Sequence, residues 1–269
     1  MATELVDASK LDVCCTAEAN AIRAKTGSSA QIAYDWANSK GFADAIDAIP
    51  TGGGGEWTTD GIASRTDPNG HITISSSVTS IGERAFTNCH GITEVTIQGN
   101  PFIGNHAFNE CRGLTKLHTP NLTRLKNGAY GTSTYTFRNC VKLEGVVFPS
   151  FGNEVLDSYV FNGCTLLSYA DFADMQRLGG SEVFYNTSLN ILVLRKTIGV
   201  VTLQNINNFN NSPFASGGSG GTLYVPSSLI SSYQSANNWS TILGYTNNSI
   251  TAIEGSPYEN YYADGTPIT

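Results

Sequence analysis

Apolar and polar residues alternate in short blocks that return along the middle of the chain. Each block follows the pattern Phe-x-x-Cys and carries mainly apolar residues three, six and eight positions after the cysteine. In the first block the last two of these are Val95 and Ile97, and the polar residues Glu94 and Thr96 alternate with them. Alternation with a period of two is typical of a strand with one buried face. The pattern therefore predicts one short strand in every block.

The blocks return at a spacing that indicates a stacked fold. The phenylalanines at positions 86, 108, 137 and 161 lie 22, 29 and 24 residues apart, and a weaker copy begins at Phe184. Repeats of this length cannot bury an apolar face alone, so they stack on one another. We predict a β-rich solenoid of the leucine-rich type with one parallel sheet along its length. The predicted core ladder consists of Phe86, Cys89, Phe108, Cys111, Phe137, Cys140, Phe161, Cys164 and Phe184.

The cysteines of this ladder are predicted to pack and not to pair. Equivalent residues of stacked coils lie about 4.8 Å apart with parallel Cβ atoms, which exceeds the spacing of a relaxed disulfide. We therefore do not interpret the six cysteines of the chain as a disulfide framework. In the fifth copy Asn186 or Thr187 takes the cysteine position. A small polar residue there favours a hydrogen bond to the turn backbone over a metal or redox role.

The repeat resembles a known family. The stretches "SIGERAFTNCHGI" and "FIGNHAFNECRGL" contain the frame Ile-Gly-x-x-Ala-Phe-x-x-Cys, which is similar to the BspA-type leucine-rich repeat of bacterial surface proteins. The resemblance extends from about Ile72 to Ile253, although the third and fourth copies keep the Phe-Cys pair and lose the Ile-Gly. It implies adhesion or recognition through an extended surface, and not catalysis.

A later stretch, "GTLYVPSSLISSYQSANNWSTI", resembles the closing unit of that family. Its "TLYVP" predicts a last strand that Pro226 ends, and we expect Ser227 to cap a short helix. The apolar side of this helix and its surroundings comprises Leu229, Ile230, Tyr233 and Trp239. Residues 206–253 are therefore expected to form a strand-helix cap over the open end of a solenoid that spans 72–253.

The front of the chain differs from the repeats. Two amphipathic stretches in residues 1–50, "LVDASKLDVCCTAEANAIRAKTG" and "GFADAIDAI", predict helices. Their "AIRAKTG" and "ADAI" are similar to N-terminal modules of tail-associated proteins from prophages of Gram-positive gut bacteria. Two such helices bury too little to fold alone, which predicts an attachment or oligomerisation module. Residues 51–71 are predicted to form a Gly-rich linker and a first strand, and residues 254–269 a polar tail.

Charge and hydropathy argue against two kinds of partner. The net charge of −7 comes from 22 acidic and 15 basic residues that are spread along the chain, without the basic patch that nucleic acid would need. No apolar run approaches the length of a membrane span. We therefore expect neither nucleic-acid binding nor membrane insertion.

No arrangement of reactive residues predicts catalysis. The histidines are His71, His90, His106 and His118, and none has a His or Glu partner at helical metal-site spacing. A Gly-x-Ser-x-Gly elbow and a phosphate-binding loop are both missing from the sequence. The pairs Asp44/Asp47 and Asp171/Asp174 invite a glycosidase interpretation, but a solvated polar face is the simpler one. We predict no catalytic residue, no metal and no cofactor.

The outward positions of the strands remain as the candidate site. They lie five and seven residues after each cysteine, or at equivalent points of the fifth copy, and become more apolar toward the C-terminal end. They are Glu94, Thr96, Lys116, His118, Val147, Tyr169, Asp171, Ile191, Val193 and Arg195. β-branched residues favour such positions in any strand, so a plain structural interpretation stands beside ligand binding.

Two functions follow from these features. The stretch "MATELVDASKLDV" lacks the pattern of a Sec signal peptide, which predicts cytoplasmic synthesis without export by that route. The first hypothesis is a structural or receptor-binding component of a phage tail, attached to the virion or to its own copies through residues 1–50. The alternative is a bacterial cell-surface adhesin. In both cases the expected partner is a protein or glycan receptor on a cell surface.

Overall fold

The computed structural model describes residues 4–6, 32–34, 64–65, 70–125 and 135–268. Its strands are β1 (Glu4–Val6), β2 (Ile32–Tyr34), β3 (Ser64–Arg65), β4 (His71–Ile74), β5 (Ser80–Ile81), β6 (Glu94–Ile97), β7 (Phe102–Ile103), β8 (Lys116–His118), β9 (Gly145–Phe148), β10 (Glu154–Leu156), β11 (Tyr169–Phe172), β12 (Met175–Leu178), β13 (Ile191–Leu194), β14 (Thr202–Leu203), β15 (Thr222–Val225) and β16 (Ser249–Ala252). Short 3-10 turns span Ile206–Phe209 and Ser227–Leu229, and the α-helices are α1 (Ile230–Ser235) and α2 (Trp239–Leu243). Within these ranges no helix has the length and apolar character to cross a bilayer.

One sheet runs the length of the repeat region. Its strand order is β16-β15-β13-β11-β9-β8-β6-β4-β3, and each neighbouring pair from β4 to β16 is parallel. Strand β3 joins β4 in an antiparallel hairpin. The register is direct, so Glu94 stands beside Lys116 and Tyr169 beside Ile191. The prediction of a parallel-sheet solenoid is confirmed.

A stack of phenylalanine rings fills the interior behind this sheet. The stack consists of Phe86, Phe108, Phe137, Phe161, Phe184 and Phe209. Neighbouring ring centroids lie 4.9 to 5.9 Å apart and the planes are within 15° of parallel. The stack extends one copy further than the sequence analysis counted, since Phe209 is followed by Ser212 in the cysteine position. The thiols of Cys89, Cys111, Cys140 and Cys164 lie beside it, buried and not joined by disulfide bonds.

In the five coils from Phe86 to Phe184, the chain turns through two left-handed residues that flank the phenylalanine. Those before the ring are Arg84, His106, Tyr135, Tyr159 and Glu182, and those after it include Asn88, Glu110, Asn139, Gly163 and Asn186. A left-handed residue other than glycine costs about 1–2 kcal/mol. Hydrogen bonds to the next coil offset this cost, as where the Glu110 amide donates to the Arg138 carbonyl at 2.7 Å.

Helices α1 and α2 lie beside a second, smaller sheet. This sheet has the order β10-β12-β14. Its outer edge is covered by side chains: Trp239 Nε1 donates to the Val201 carbonyl at 2.6 Å, and the Val201 amide donates to the Tyr233 hydroxyl at 3.0 Å. Asn238 Nδ2 donates to the Leu203 carbonyl at 2.8 Å. Backbone groups that a further strand would pair are thus satisfied without one.

Two details of the C-terminal prediction need correction. Ser227 makes no capping hydrogen bond to α1, because it lies in a separate 3-10 turn and Leu229 precedes the helix. The helices also do not end the stack, since the chain returns afterwards as β16, which pairs with β15. Apolar residues at helical spacing marked the helix correctly but carried no information about a strand beyond it.

The N-terminal prediction is wrong at its first residues. The predicted helix begins at Leu5, whereas Glu4–Val6 form a strand that pairs antiparallel with Ile32–Tyr34. Both segments carry β-branched or aromatic residues, which favour strands. The remainder of the two predicted helices and the Gly52–Gly55 linker lie outside the described residues.

Candidate functional site

The outward surface of the main sheet, here called the strand face, has two halves with different exposure. In the open half, on β4, β6 and β8, the outward residues are half-buried or exposed: His71, Thr73, Glu94, Thr96, Lys116 and His118. In the covered half, on and just after β11 and β13, the outward residues Asp171 and Val193 have no exposed surface. Among the described residues of this face, the open half therefore offers more side-chain surface to a ligand than the covered half does.

The open half presents a cluster of polar side chains around Glu94. His118 Nε2 lies 2.9 Å from Glu94 Oε1, and His71 Nε2 lies 4.0 Å from the same oxygen. His71 Nε2 also contacts Thr96 Oγ1 at 3.0 Å. Side chains from three adjacent coils thus meet on one surface, because the direct register brings them side by side. Such a cluster can bind a ligand by hydrogen bonds and charge.

Gly145 and Tyr169 mark the boundary between the halves. Gly145 pairs with Tyr169 in register, and a Cβ atom on Gly145 would overlap the tyrosine ring. The ring therefore lies flat across the neighbouring strand. Burial, and then the carboxylates of Asp264 and Glu144, raises the pKa of Tyr169. The nearness of Asp264 shows that the C-terminal residues reach this point.

The covered half is built around an ion pair between Asp171 and Arg195. Arg195 Nε donates to Asp171 Oδ1 at 2.8 Å and Nη2 donates to Oδ2 at 2.7 Å. This paired geometry is the strongest that arginine forms with a carboxylate. Burial raises the pKa of Asp171, while Arg195 and the Ala263 amide act in the opposite direction. Arg195 follows β13 directly, and its own amide donates to the Phe172 carbonyl at 3.0 Å.

Residues 255–268, here called the C-terminal tail, form the cover. Arg195 donates to the carbonyls of Tyr258 and Tyr261 at 2.8 and 2.9 Å. The Ala263 amide donates to Asp171 Oδ2 at 2.9 Å. The Arg195 guanidinium lies 5.0 Å from the centre of the Tyr262 ring, and the Tyr258 ring meets Tyr224 edge-on at 4.6 Å. The predicted polar tail is polar, but it lies on the strand face.

The residues predicted as a binding surface therefore divide between the two halves. Glu94, Thr96, Lys116 and His118 lie in the open half. The covered half contains Tyr169, Asp171, Ile191, Val193 and Arg195. Val147, which pairs with His118, lies between the two halves. The gain in apolar character toward the C-terminal end corresponds to the part of the face that the tail covers.

A cavity on the side opposite the strand face was not predicted. It has a volume of about 540 Å³ and is lined by His106, Tyr135, Arg138, Tyr159, Asn162, Glu182 and Tyr185. The rings of His106, Tyr135 and Tyr159 stack with centroids 4.7 and 4.6 Å apart. Burial, followed by Arg84, lowers the pKa of His106. The sequence position of these rings could have predicted their stacking, since each of them lies two residues before a core phenylalanine.

The Asp171/Asp174 pair, for which the sequence favoured a solvated polar face over a glycosidase site, has one buried member, because Asp171 has no exposed surface. Asp171 is held by Arg195 and Ala263, and Asp174 Oδ1 accepts from Lys196 Nζ at 3.2 Å. Among the residues that the structure describes, no three His, Cys, Asp or Glu side chains are grouped to hold a metal ion.

Comparison with known proteins places the repeats in a family. A model described as the BspA type leucine rich repeat region matches six copies, over residues 65–134, 103–213 and 131–260. A solved structure, a leucine rich cell surface protein from Faecalibacterium prausnitzii A2-165, is 26% identical over 52% of this chain and 36% of its own, with a TM-score of 0.41. The match thus spans about a third of that protein. No curated protein matches the chain. Because the repeat matches run from the first hairpin to the tail, the chain belongs to the BspA-type leucine-rich-repeat family.

Proposed function

We propose that this protein is a non-catalytic binding protein of the cell surface, which recognises a protein or glycan receptor through the open half of the strand face. The observation that carries the proposal is the in-register cluster of His71, Glu94 and His118, which three neighbouring coils present with no covering segment among the described residues. Family membership supports a binding role, since the BspA-type repeat is a feature of bacterial surface proteins.

Binding should depend on the charge of the open half. The test is to measure the full chain against a glycan array and a panel of host surface proteins, together with two charge-reversal variants. Lys116→Glu changes an exposed residue of the open half. Lys142→Glu makes the same change at an exposed position off the strand face and serves as the control.

A ligand that loses about tenfold or more of its affinity with Lys116→Glu, and little with Lys142→Glu, supports the proposal. The absence of any ligand, or equal losses in the two variants, overturns it. Reproducible hydrolysis of a glycan, abolished by a single carboxylate substitution, would show that the protein is an enzyme.

The phage-tail hypothesis has less support than the cell-surface one. It rests on residues 1–50, and the family matches begin at residue 65. Immunolabelling of intact producing cells tests the location. Label on unbroken cells supports the surface assignment, whereas protein found only in a purified virion fraction restores the phage-tail hypothesis.

We also propose that α1 and α2 cap the smaller sheet. The bonds of Trp239, Asn238 and Tyr233 to the backbone beside and within β14 support this role. An uncovered edge strand can pair with another chain. Trp239→Phe, which removes the indole donor, is expected to increase concentration-dependent aggregation measured by light scattering, and unchanged behaviour would contradict the role.

A further inference from the structure

The C-terminal tail is bound mainly through its backbone. Arg195 donates to two tail carbonyls and Asp171 accepts from one tail amide. Donors directed at carbonyls beside an acceptor directed at an amide form the complement of a polypeptide chain. Tail side chains take part through two rings, Tyr258 against Tyr224 and Tyr262 under the guanidinium.

The platform beneath the tail is firm. Asp171 and Val193 are register partners in adjacent parallel strands, and the Arg195 amide donates to the Phe172 carbonyl. The paired bonds between Arg195 and Asp171 do not involve the tail. The arrangement of donors and acceptor is thus set by the sheet.

The tail itself is held loosely in comparison. No described residue after Ile253 is buried, and Tyr261 has 50% of its surface exposed. The tail therefore contributes little apolar burial, which is the main source of stability in such contacts. Its release would expose Asp171, Val193 and Arg195 as a ready surface.

We propose that the covered half of the strand face is a polypeptide-binding site, which the tail occupies in cis and which accepts a tyrosine-containing peptide segment in trans when the tail is displaced. This inference rests on the proposed function, in that the strand face is the recognition surface. It adds the class of partner for the covered half, and it makes the tail a competitor of that partner.

The test uses a fluorescent peptide of residues 255–269 and fluorescence polarisation. The full chain carrying Tyr258→Ala and Tyr262→Ala has a tail without its two ring contacts. We expect this variant to bind the peptide about tenfold or more tightly than the unmodified chain does, because its own tail competes less. The same peptide with Tyr258→Ala and Tyr262→Ala is the control and should bind about tenfold or more weakly, because it lacks the two ring contacts.

A second pair of variants is needed if the tail with the two tyrosine substitutions still occupies the site. The chain ending at Glu254 retains the bond from the Ser227 amide to the Glu254 carboxylate and lacks the tail. It should bind the peptide, and Arg195→Gln in this background should reduce the affinity about tenfold or more. Thermal unfolding establishes that both are folded.

Failure of the folded, tail-less chain to bind the peptide overturns the inference, as does equal binding of the alanine-substituted peptide or of the Arg195→Gln variant. A glycan that binds the tail-less chain in place of the peptide also overturns it. The proposed function is tested separately, through Lys116→Glu in the open half. If the tail-less chain binds the peptide but no ligand of the open half is found, the proposed function is wrong and the peptide-binding site is still supported.

Discussion

Each of three cysteines in the repeat donates its thiol hydrogen to the carbonyl of the phenylalanine one coil earlier. The Sγ to O distances are 3.0 Å for Cys111, 3.2 Å for Cys140 and 3.1 Å for Cys164. In later coils the same slot holds Thr187 and Ser212, whose hydroxyls donate to the phenylalanine of their own coil at 2.9 and 2.6 Å. The slot therefore selects a small hydrogen-bond donor, which explains why threonine and serine replace cysteine in the later coils.

The thiols of the repeat should resist chemical labelling in the native protein. Burial first, and the neighbouring Cys164 and Cys111 after it, raises the pKa of Cys140, and thiolate is the reactive form. We expect iodoacetamide at neutral pH to leave Cys89, Cys111, Cys140 and Cys164 unmodified, as measured by peptide mass mapping. The same reaction in denaturant should modify all of them. A disulfide between any two would show that the register of the coils is wrong.

The phenylalanine stack should be a major source of stability. Phe108 has no exposed surface and stacks between Phe86 and Phe137. Phe108→Ala should lower the free energy of unfolding by about 3–5 kcal/mol, because it leaves a cavity that the rigid stack cannot close. Urea unfolding measures this loss.

The matched control for Phe108 is Leu166→Ala. Leu166 is an apolar residue of the same region with 53% of its surface exposed, so its loss should stay within about 0.5 kcal/mol. A cost for Phe108→Ala below about 1 kcal/mol would contradict the assignment of these rings to the core.

At the scale of elements, strands could be predicted from the sequence where buried and exposed side chains alternate with a period of two. The alternation of Val95 and Ile97 with Glu94 and Thr96 located β6, and the same pattern located its equivalents. The sheet β10-β12-β14 was not predicted, since strands of two to four residues with patterns such as buried-exposed-exposed-buried carry no clear period. The tail contact was also missed, because it uses carbonyls and an amide that every sequence contains.

The α1 helix should respond to alkaline pH through Tyr233. Burial raises the pKa of Tyr233 to about 12, whereas an exposed tyrosine in the unfolded chain ionises near 10. Below pH 10 both states keep the proton, and between about 10 and 12 the unfolded state alone releases it. Stability present below pH 10 is therefore lost as the pH rises, by about 2–3 kcal/mol in total.

Urea unfolding at about pH 8 and about pH 11 measures this effect. Tyr233→Phe should be less stable at the lower pH, because the Val201 amide loses its acceptor, but it should lose less stability on going to the higher pH. Equal pH dependence in the unmodified chain and in the Tyr233→Phe variant would contradict a buried, neutral Tyr233.

At the scale of the whole molecule, the stacked repeats differ from residues 1–50 in how much of their structure is described. Coils from β4 to β16 each contact their neighbours, so the described repeat region is one continuous unit. The family matches cover it and stop short of residues 1–50. Within residues 1–50 the structure describes the β1–β2 pair. The role of residues 1–50 in attachment or self-association therefore stays a prediction.

We predict that the intact chain associates through residues 1–50. The apolar residues of the two predicted helices are Leu11, Ile22, Phe42, Ile46 and Ile49, and the Gly52–Gly55 linker favours contact with another molecule over docking on the stack. Light scattering should find multimers of the intact chain and a monomer for a chain that begins at Glu56. Monomers in both cases would contradict self-association, and multimers in both would move the interface to the repeats.

The joint between β8 and β9 gives the solenoid a mechanical weak point. These strands share one register pair, His118 with Val147, whereas β6 shares three with β8 and β9 shares four with β11. On the opposite side the same two coils remain bonded, since the Phe108 amide donates to the Thr136 carbonyl at 2.9 Å. A tensile load along the stack would therefore concentrate on the sheet side of this joint. We expect the molecule under force to bend open there, as two stiff blocks about a hinge, before coils peel from either end.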